Sequence, residues 1–187
     1  MTALSARVIN EFCALCDSAY QANLVHRALF DDNPEANRIA ASRFNLGYIK
    51  SSEMTQEYAL LQIAKLHDHA VVSGKITLSI DYVLTYGGWS NEEQRKLSSL
   101  AKEMNGLASK LRSARNQTLS HNDLAAILAG GVLGAFDQDE DVHYFYKLCE
   151  FADIACKSVG IGGFSYKSSV TGPISAMASA LGRSVDA

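Results

Sequence analysis

The amino-acid sequence predicts an all-α protein, an up-and-down bundle of about four to five main helices. Three observations predict it. Apolar residues recur at steps of three and four over long segments, the only prolines, Pro34 and Pro173, fall outside those segments, and no stretch alternates polar and apolar residues long enough to make a strand. With 187 residues the chain is most simply one domain, able to bury roughly 70% of its unfolded surface without covalent staples. The expected layout is a bundle over 1–160 followed by a Gly/Ser-rich C-terminal extension, 161–187, with a short helix.

The first helix carries Leu4, Val8, Phe12, Leu15, Ala19, Ala22, Val25 and Leu29 on one stripe. Asp31-Asp32-Asn33-Pro34-Glu35 interrupts it, because Pro cannot continue a helix interior and Asp and Asn favour turns. A second helix places Tyr58, Leu60, Leu61, Ile63 and Ala64 and reaches Leu66-His67-Asp68. After Ser73-Gly74 a shorter one is expected, with Ile76, Ile80, Val83 and Leu84 on one side, ended by Gly87-Gly88.

Ser90 and Glu93 then have the spacing of a capping box, and a long helix follows. Its apolar positions Leu97, Leu100, Met104, Leu107, Leu111, Ala114 and Thr118 repeat as a heptad. Asn122 or Asp123 can cap the next helix, which holds Leu124, Ala125, Ile127 and Leu128 and loosens at Gly130-Gly131. Asp137 and Glu140 mark another N-terminus, with Val142, Phe145, Cys149, Ala152, Cys156 and Val159 on one seam and Gly160, Gly162 and Gly163 as the stop. A short helix is expected near Ile174 to Leu181.

Composition excludes several function classes. A net charge of −3 argues against a protein that coats nucleic acid by general electrostatic attraction. Lys102, Lys110, Arg112 and Arg115 nonetheless lie in one segment whose single carboxylate is Glu103, readable as a local basic patch or as a solvated face. No charged segment leads into an apolar core at the start, and the longest near-continuous apolar run, Leu124 to Phe136, falls short of the roughly 20 residues a bilayer span needs. The expectation is therefore a cytoplasmic protein with no membrane partner. Cys13 with Cys16 and Cys149 with Cys156 fall on apolar stripes and read as small buried hydrophobes, with no metal and no cofactor implied. His67-Asp68-His69 is a weaker metal candidate, since histidines two apart on a helix face away from each other. His26 and His143 stand alone, as structural histidines usually do.

The stretch Ser113-Ala114-Arg115-Asn116-Gln117-Thr118-Leu119-Ser120-His121-Asn122-Asp123 concentrates the chemistry. On an unbroken helix Arg115 and His121 would point about 120° apart. They can act together if the helix stops between them, as the heptad's end near Thr118 suggests, or if a second copy of the chain brings its own pair. A histidine at such a break can take and return protons near neutral pH.

Arg115-Asn116 followed by His121, at the end of a long helix, resembles the signature of HEPN domains, an arginine, four to six residues and a histidine. Together with Leu66-His67-Asp68 and Thr77-Leu78-Ser79-Ile80, the wording is similar to the AbiU-like group of that superfamily, named for abortive phage infection. The likeness covers roughly residues 1 to 160 in helix order and is specific around these short stretches; Ser120 stands where many relatives have Ala.

The resemblance implies a HEPN-like bundle and a metal-independent endoribonuclease acting as a toxin or anti-phage effector. In it His121 would be the acid or base, Arg115 would hold the developing charge through its forked donors, and Asn116 would fix the phosphate or orient His121. Lys110 and Arg112 would bind substrate, and Asp123 would orient the imidazole or, against this reading, neutralise Arg115. One chain supplies one such histidine, so a homodimer would set two Arg-Asn-His groups across one cleft. The partners implied are RNA, a second copy of the chain, and an antitoxin or nucleotidyltransferase. The alternative keeps Arg115 as a cap on its helix carbonyls and His121 as a packing residue, in a non-catalytic HEPN module that binds a partner protein or a small ligand.

Overall fold

The long helix begins where its capping box lies. The backbone N–H of Ser90 donates to Glu93 Oε2 at 2.9 Å, and the N–H of Glu93 donates to Ser90 Oγ at 3.3 Å. These bonds satisfy two donors that the first turn of a helix leaves without partners. The computed structural model describes residues 4–114, 139–167 and 170–185. The fold is an all-α helical bundle. In chain order the described residues form α1 (Ala6–His26), a π-helical turn (Arg27–Asp31), α2 (Ala36–Ala40), α3 (Asn45–Leu66), β1 (Val71–Val72), β2 (Lys75–Ile76), α4 (Ile80–Tyr86), α5 (Asn91–Ala114), α6 (Glu140–Ser158) and α7 (Thr171–Ser184). They divide into two compact units, one from residues 1–17 with 61–166 and the other from 18–60 with 167–187.

In the first unit, α5 packs along α6. The heptad residues Leu97, Leu100, Met104, Leu107 and Leu111 are all buried, as their spacing requires. On α6 the buried face is Tyr144, Phe145, Leu148, Phe151, Ala152, Ala155 and Cys156. Val142, expected on the seam, is 51% exposed instead. The seam is thus turned toward Tyr144, Leu148 and Phe151, because bulky aromatic side chains fill the interior better than Val142 and Val159. The start of α1 contributes Ile9, Phe12, Cys13 and Cys16 to this core, with the Phe12 and Phe151 rings 5.8 Å apart edge to face. Leu15, placed on the stripe by sequence, is exposed and Cys16 takes the interior position.

The end of α6 is a Schellman motif. Gly160 has φ +75°, its N–H donates to Lys157 O at 3.1 Å, and the N–H of Ile161 donates to Cys156 O at 3.1 Å. Its start is less regular, with Asp139 at φ 64° and no side-chain cap; Asp137 lies outside the described residues. Between α3 and α4 stands a hairpin with Val71 opposite Ile76 and Val72 opposite Lys75. Ser73 and Gly74, at φ 50° and 76°, make its two-residue turn with both φ values positive, as a type I′ turn demands. Ile76, expected on the face of a helix, lies in β2 and is 71% exposed. Two residues per strand are too few for periodicity to register.

In the second unit, α1 ends in the π-helical turn, closed by the Asp32 N–H on Arg27 O at 2.8 Å. Asn33 bridges the break: its Nδ2 donates to Leu29 O at 2.9 Å and its Oδ1 accepts the Glu35 N–H at 3.0 Å. The Tyr48 hydroxyl donates to the same Leu29 carbonyl at 2.7 Å. α7, longer than the expected short helix, packs on α2 and the π turn, and Arg38 joins it by donating to Gly182 O at 2.7 Å and to Glu35 at 2.6 Å.

Two outcomes follow from the α5 packing. Leu97→Ala should cost about 2–5 kcal/mol of unfolding free energy in urea titrations, since its side chain is fully buried. The Glu93 carboxyl is held down at about 2 by the Ser158 hydroxyl and by Ser90, below its ordinary 4.5. Its stabilisation is therefore complete above pH 4.5 and lost as pH falls toward 2. In Glu93→Gln, which keeps a capping acceptor, the decline of the urea midpoint across that window should be shallower than in the parent.

Candidate functional site

α5 runs unbroken through Ala114, the residue before Arg115. Arg115, Asn116, His121 and Asp123 lie outside the described residues, as does the side chain of Arg112. Lys110 is described: its Nζ lies 3.2 Å from Glu140 Oε1 at the start of α6. Two turns earlier, Glu103 on α5 pairs with Lys147 on α6 at 3.1 Å, and that ammonium holds the Glu103 carboxyl below its ordinary value. Of the basic run read from sequence, Lys110 is thus matched by a carboxylate of α6, while the run's own Glu103 is taken up by Lys147. Lys110, Glu140, Glu103, Lys147, His143 and Tyr144 line a cavity of about 270 Å³ between α5 and α6. His143, read as a lone histidine, belongs to this charged groove.

A second polar cavity, of about 340 Å³, lies on another side of α5. His67, His69, Asp81, Lys102 and Asn105 line it, with Ile80, Leu84 and Ala101 as apolar wall. Two positions apart on a helix, His67 and His69 would face away from each other. α3 stops at Leu66, so the helical rule no longer applies, and both histidines border the same cavity. Asp81 Oδ2 accepts the Ala70 N–H at 2.7 Å and lies 3.9 Å from His69 Nδ1. Ser79, fully buried, caps α4 by accepting the Tyr82 N–H at 3.2 Å, and the Thr77 N–H donates to Ala70 O at 2.9 Å.

Behind this corner, His67 Nε2 and the Tyr144 hydroxyl share a hydrogen bond of 3.0 Å. Burial pushes the Tyr144 hydroxyl well above its ordinary value, so it stays protonated. Among the described residues no group of three or more His, Cys, Asp or Glu is placed to hold a metal ion. The cysteine pairs do approach each other, Cys13 Sγ lying 3.2 Å from Cys156 Sγ, but burial drives the Cys13 and Cys16 thiols far up from their ordinary range, which leaves them unreactive.

Neither Tyr144 nor Asp81 was singled out by sequence. Tyr144 reads as one more aromatic on a helix, and its bond to His67 spans 77 positions, which no local spacing encodes. The signal that pointed to this corner was the pair of short family-like stretches, Leu66-His67-Asp68 and Thr77-Leu78-Ser79-Ile80, which border one cavity through His67 and Ile80.

The family model that describes AbiU2, an abortive infection family of the HEPN superfamily, matches residues 5–169. The chain belongs to the HEPN AbiU2 family. No curated protein and no solved structure matches it. Membership in the AbiU2 family accounts for the all-α bundle. No described helix is long and apolar enough to cross a membrane.

The His67–Tyr144 bond gives a direct test of the corner. Tyr144→Phe keeps the ring in the core and removes one partner of a buried histidine, so stability should fall by about 1–3 kcal/mol in urea unfolding. Equal stability of the two proteins would show that the corner does not depend on this bond.

Proposed function

We propose that this AbiU2-family chain is a metal-independent endoribonuclease, a toxin or anti-phage effector whose composite site forms in a homodimer. Family membership supports the reading, and so does the helix that precedes the candidate residues. A helix capped at Ser90 and buried along its heptad reaches Ala114 without a break and delivers the chain to Arg115 and Asn116. His121 follows within a few residues.

The chemistry balances with these groups. A neutral imidazole from His121 takes the proton of a 2′-hydroxyl, and the 2′-oxygen attacks the adjacent phosphorus. Arg115 holds the charge that builds on the phosphorane oxygens with two parallel donors, which lysine could not supply. Asn116 keeps the phosphate or the imidazole in register. The 5′-oxygen leaves with a proton from the second subunit's His121, giving a 2′,3′-cyclic phosphate and a free 5′-hydroxyl. Lys110 and Arg112 would meet flanking phosphates, Lys110 exchanging its surface pairing with Glu140 for the RNA, an exchange that costs little because exposed ion pairs are weak.

A second reading is favoured by a different feature. In the unit formed by 18–60 and 167–187, Leu29, Phe30, Ile39, Phe44, Tyr48 and Met177 surround an apolar cavity of about 510 Å³ with Arg43 at its edge. That size and lining suit a small ligand, as a non-catalytic HEPN module would need.

Purified protein incubated with RNA in excess EDTA should yield fragments ending in 2′,3′-cyclic phosphate. Arg115→Ala and His121→Ala should each lower the rate at least about 100-fold. RNA left intact by the parent protein under all conditions would replace the nuclease reading with the binding module.

A further inference from the structure

The polar cavity beside α5 has no part in the cleavage chemistry just described, yet its lining is assembled from three separate elements. His69 comes from the turn after α3, Asp81 from the first turn of α4, and Lys102 and Asn105 from α5. Lys102 and Asn105 are three apart on a helix and therefore neighbours on one face. Asp81 ties the corner together by accepting the Ala70 N–H, and its carboxylate stands beside the His69 imidazole. The His69 side chain is 79% exposed, so one face of the ring is open to a ligand. Ile80, Leu84 and Ala101 supply an apolar wall.

We propose that this cleft is a nucleotide subsite that holds one residue of a single-stranded RNA away from the point of cleavage. Its ligand class rests on the ribonuclease reading; its geometry does not. A nucleotide has a flat aromatic face, a hydrogen-bonding edge and a phosphate, and the cleft offers a counterpart to each. The His69 ring stacks on the base, as histidine and other aromatic side chains do with splayed-out bases. The Asn105 amide and the Asp81 carboxylate meet the base edge with donors and acceptors, and the Lys102 ammonium meets the phosphate. At about 340 Å³ the cavity is of the size that encloses a small organic group. The mixed lining does not suit a wholly apolar ligand, and no metal-binding trio is present among the described residues. RNA bound here would lie against α5, the helix described as far as Ala114.

The test uses the full chain carrying His121→Ala, so that RNA is bound without being cut. Affinity for a short 5′-fluorescein-labelled single-stranded RNA is read by fluorescence anisotropy. Adding His69→Ala, Asn105→Ala or Lys102→Ala should weaken binding about tenfold each. Lys102→Ala should also make the slope of log affinity against log salt shallower by about one, while Lys102→Arg restores both. Lys157→Ala, which removes an exposed lysine elsewhere on the unit, should leave affinity unchanged. All three cavity side chains replaced here are exposed, and unchanged thermal midpoints check that the variants fold.

Affinities within twofold of the parent for all three variants overturn the subsite; if the uncrippled protein still cuts RNA, the nuclease reading survives that result. Conversely, tenfold losses in binding with no cleavage by the uncrippled protein retain the subsite and remove the nuclease. No measurable RNA binding by the His121→Ala parent overturns the subsite, and cleavage by the uncrippled protein then decides the nuclease reading separately.

Discussion

The burial of one face of α5 is the constraint on which the first unit depends. A helix of 24 residues is not stable in water through propensity alone, because nucleation is costly and each added residue gains little. Leu97, Leu100, Met104, Leu107 and Leu111 supply what propensity does not, each removing a large side chain from water against α6. Both described cavities of this unit border α5, one of them between α5 and α6. One apolar seam therefore serves as the scaffold for two polar surfaces.

Buried polar contacts do a different job. The His67–Tyr144 bond, the Asp81 bond to the Ala70 amide and the Ser79 cap are each modest in net energy. Their value lies in what happens when the geometry slips, since an unpaired buried donor or acceptor costs more than the bond contributes. They pin the turn after α3, the base of the hairpin and the start of α4 to a single arrangement. A site on such a corner gains its precision from the elements behind it. The second unit uses the same device around Leu29, whose carbonyl accepts from both Asn33 and Tyr48 where the π turn ends.

Much of the fold was legible because helices announce themselves locally. The capping box at Ser90 and Glu93, the heptad from Leu97 to Leu111 and the glycine stop after α6 occupy the expected positions, for all three depend on neighbours a few residues away. Errors arose where several faces of a helix are apolar. On α6, Val142 and Tyr144 both satisfy a helical period, and only the volume left by α5 and α1 decides that Tyr144 goes inside. Leu15 and Cys16 exchange roles on α1 for the same reason. Ile76 fits a helical period in sequence yet lies in β2, because a two-residue strand has no period of its own.

Of the candidate site, residue types and the chemistry they suit were readable from sequence, whereas the meeting of residues was not. Family membership, helical class and the chain's arrival at Arg115 on a long helix are properties of local order along the chain. The convergence of His67 with Tyr144, of His69 with Asp81 and Lys102, and of Lys110 with Glu140 belongs to tertiary structure alone. Side chains distant along the chain become neighbours only after helices pack, and packing is decided by volumes and partners that no spacing within one segment contains.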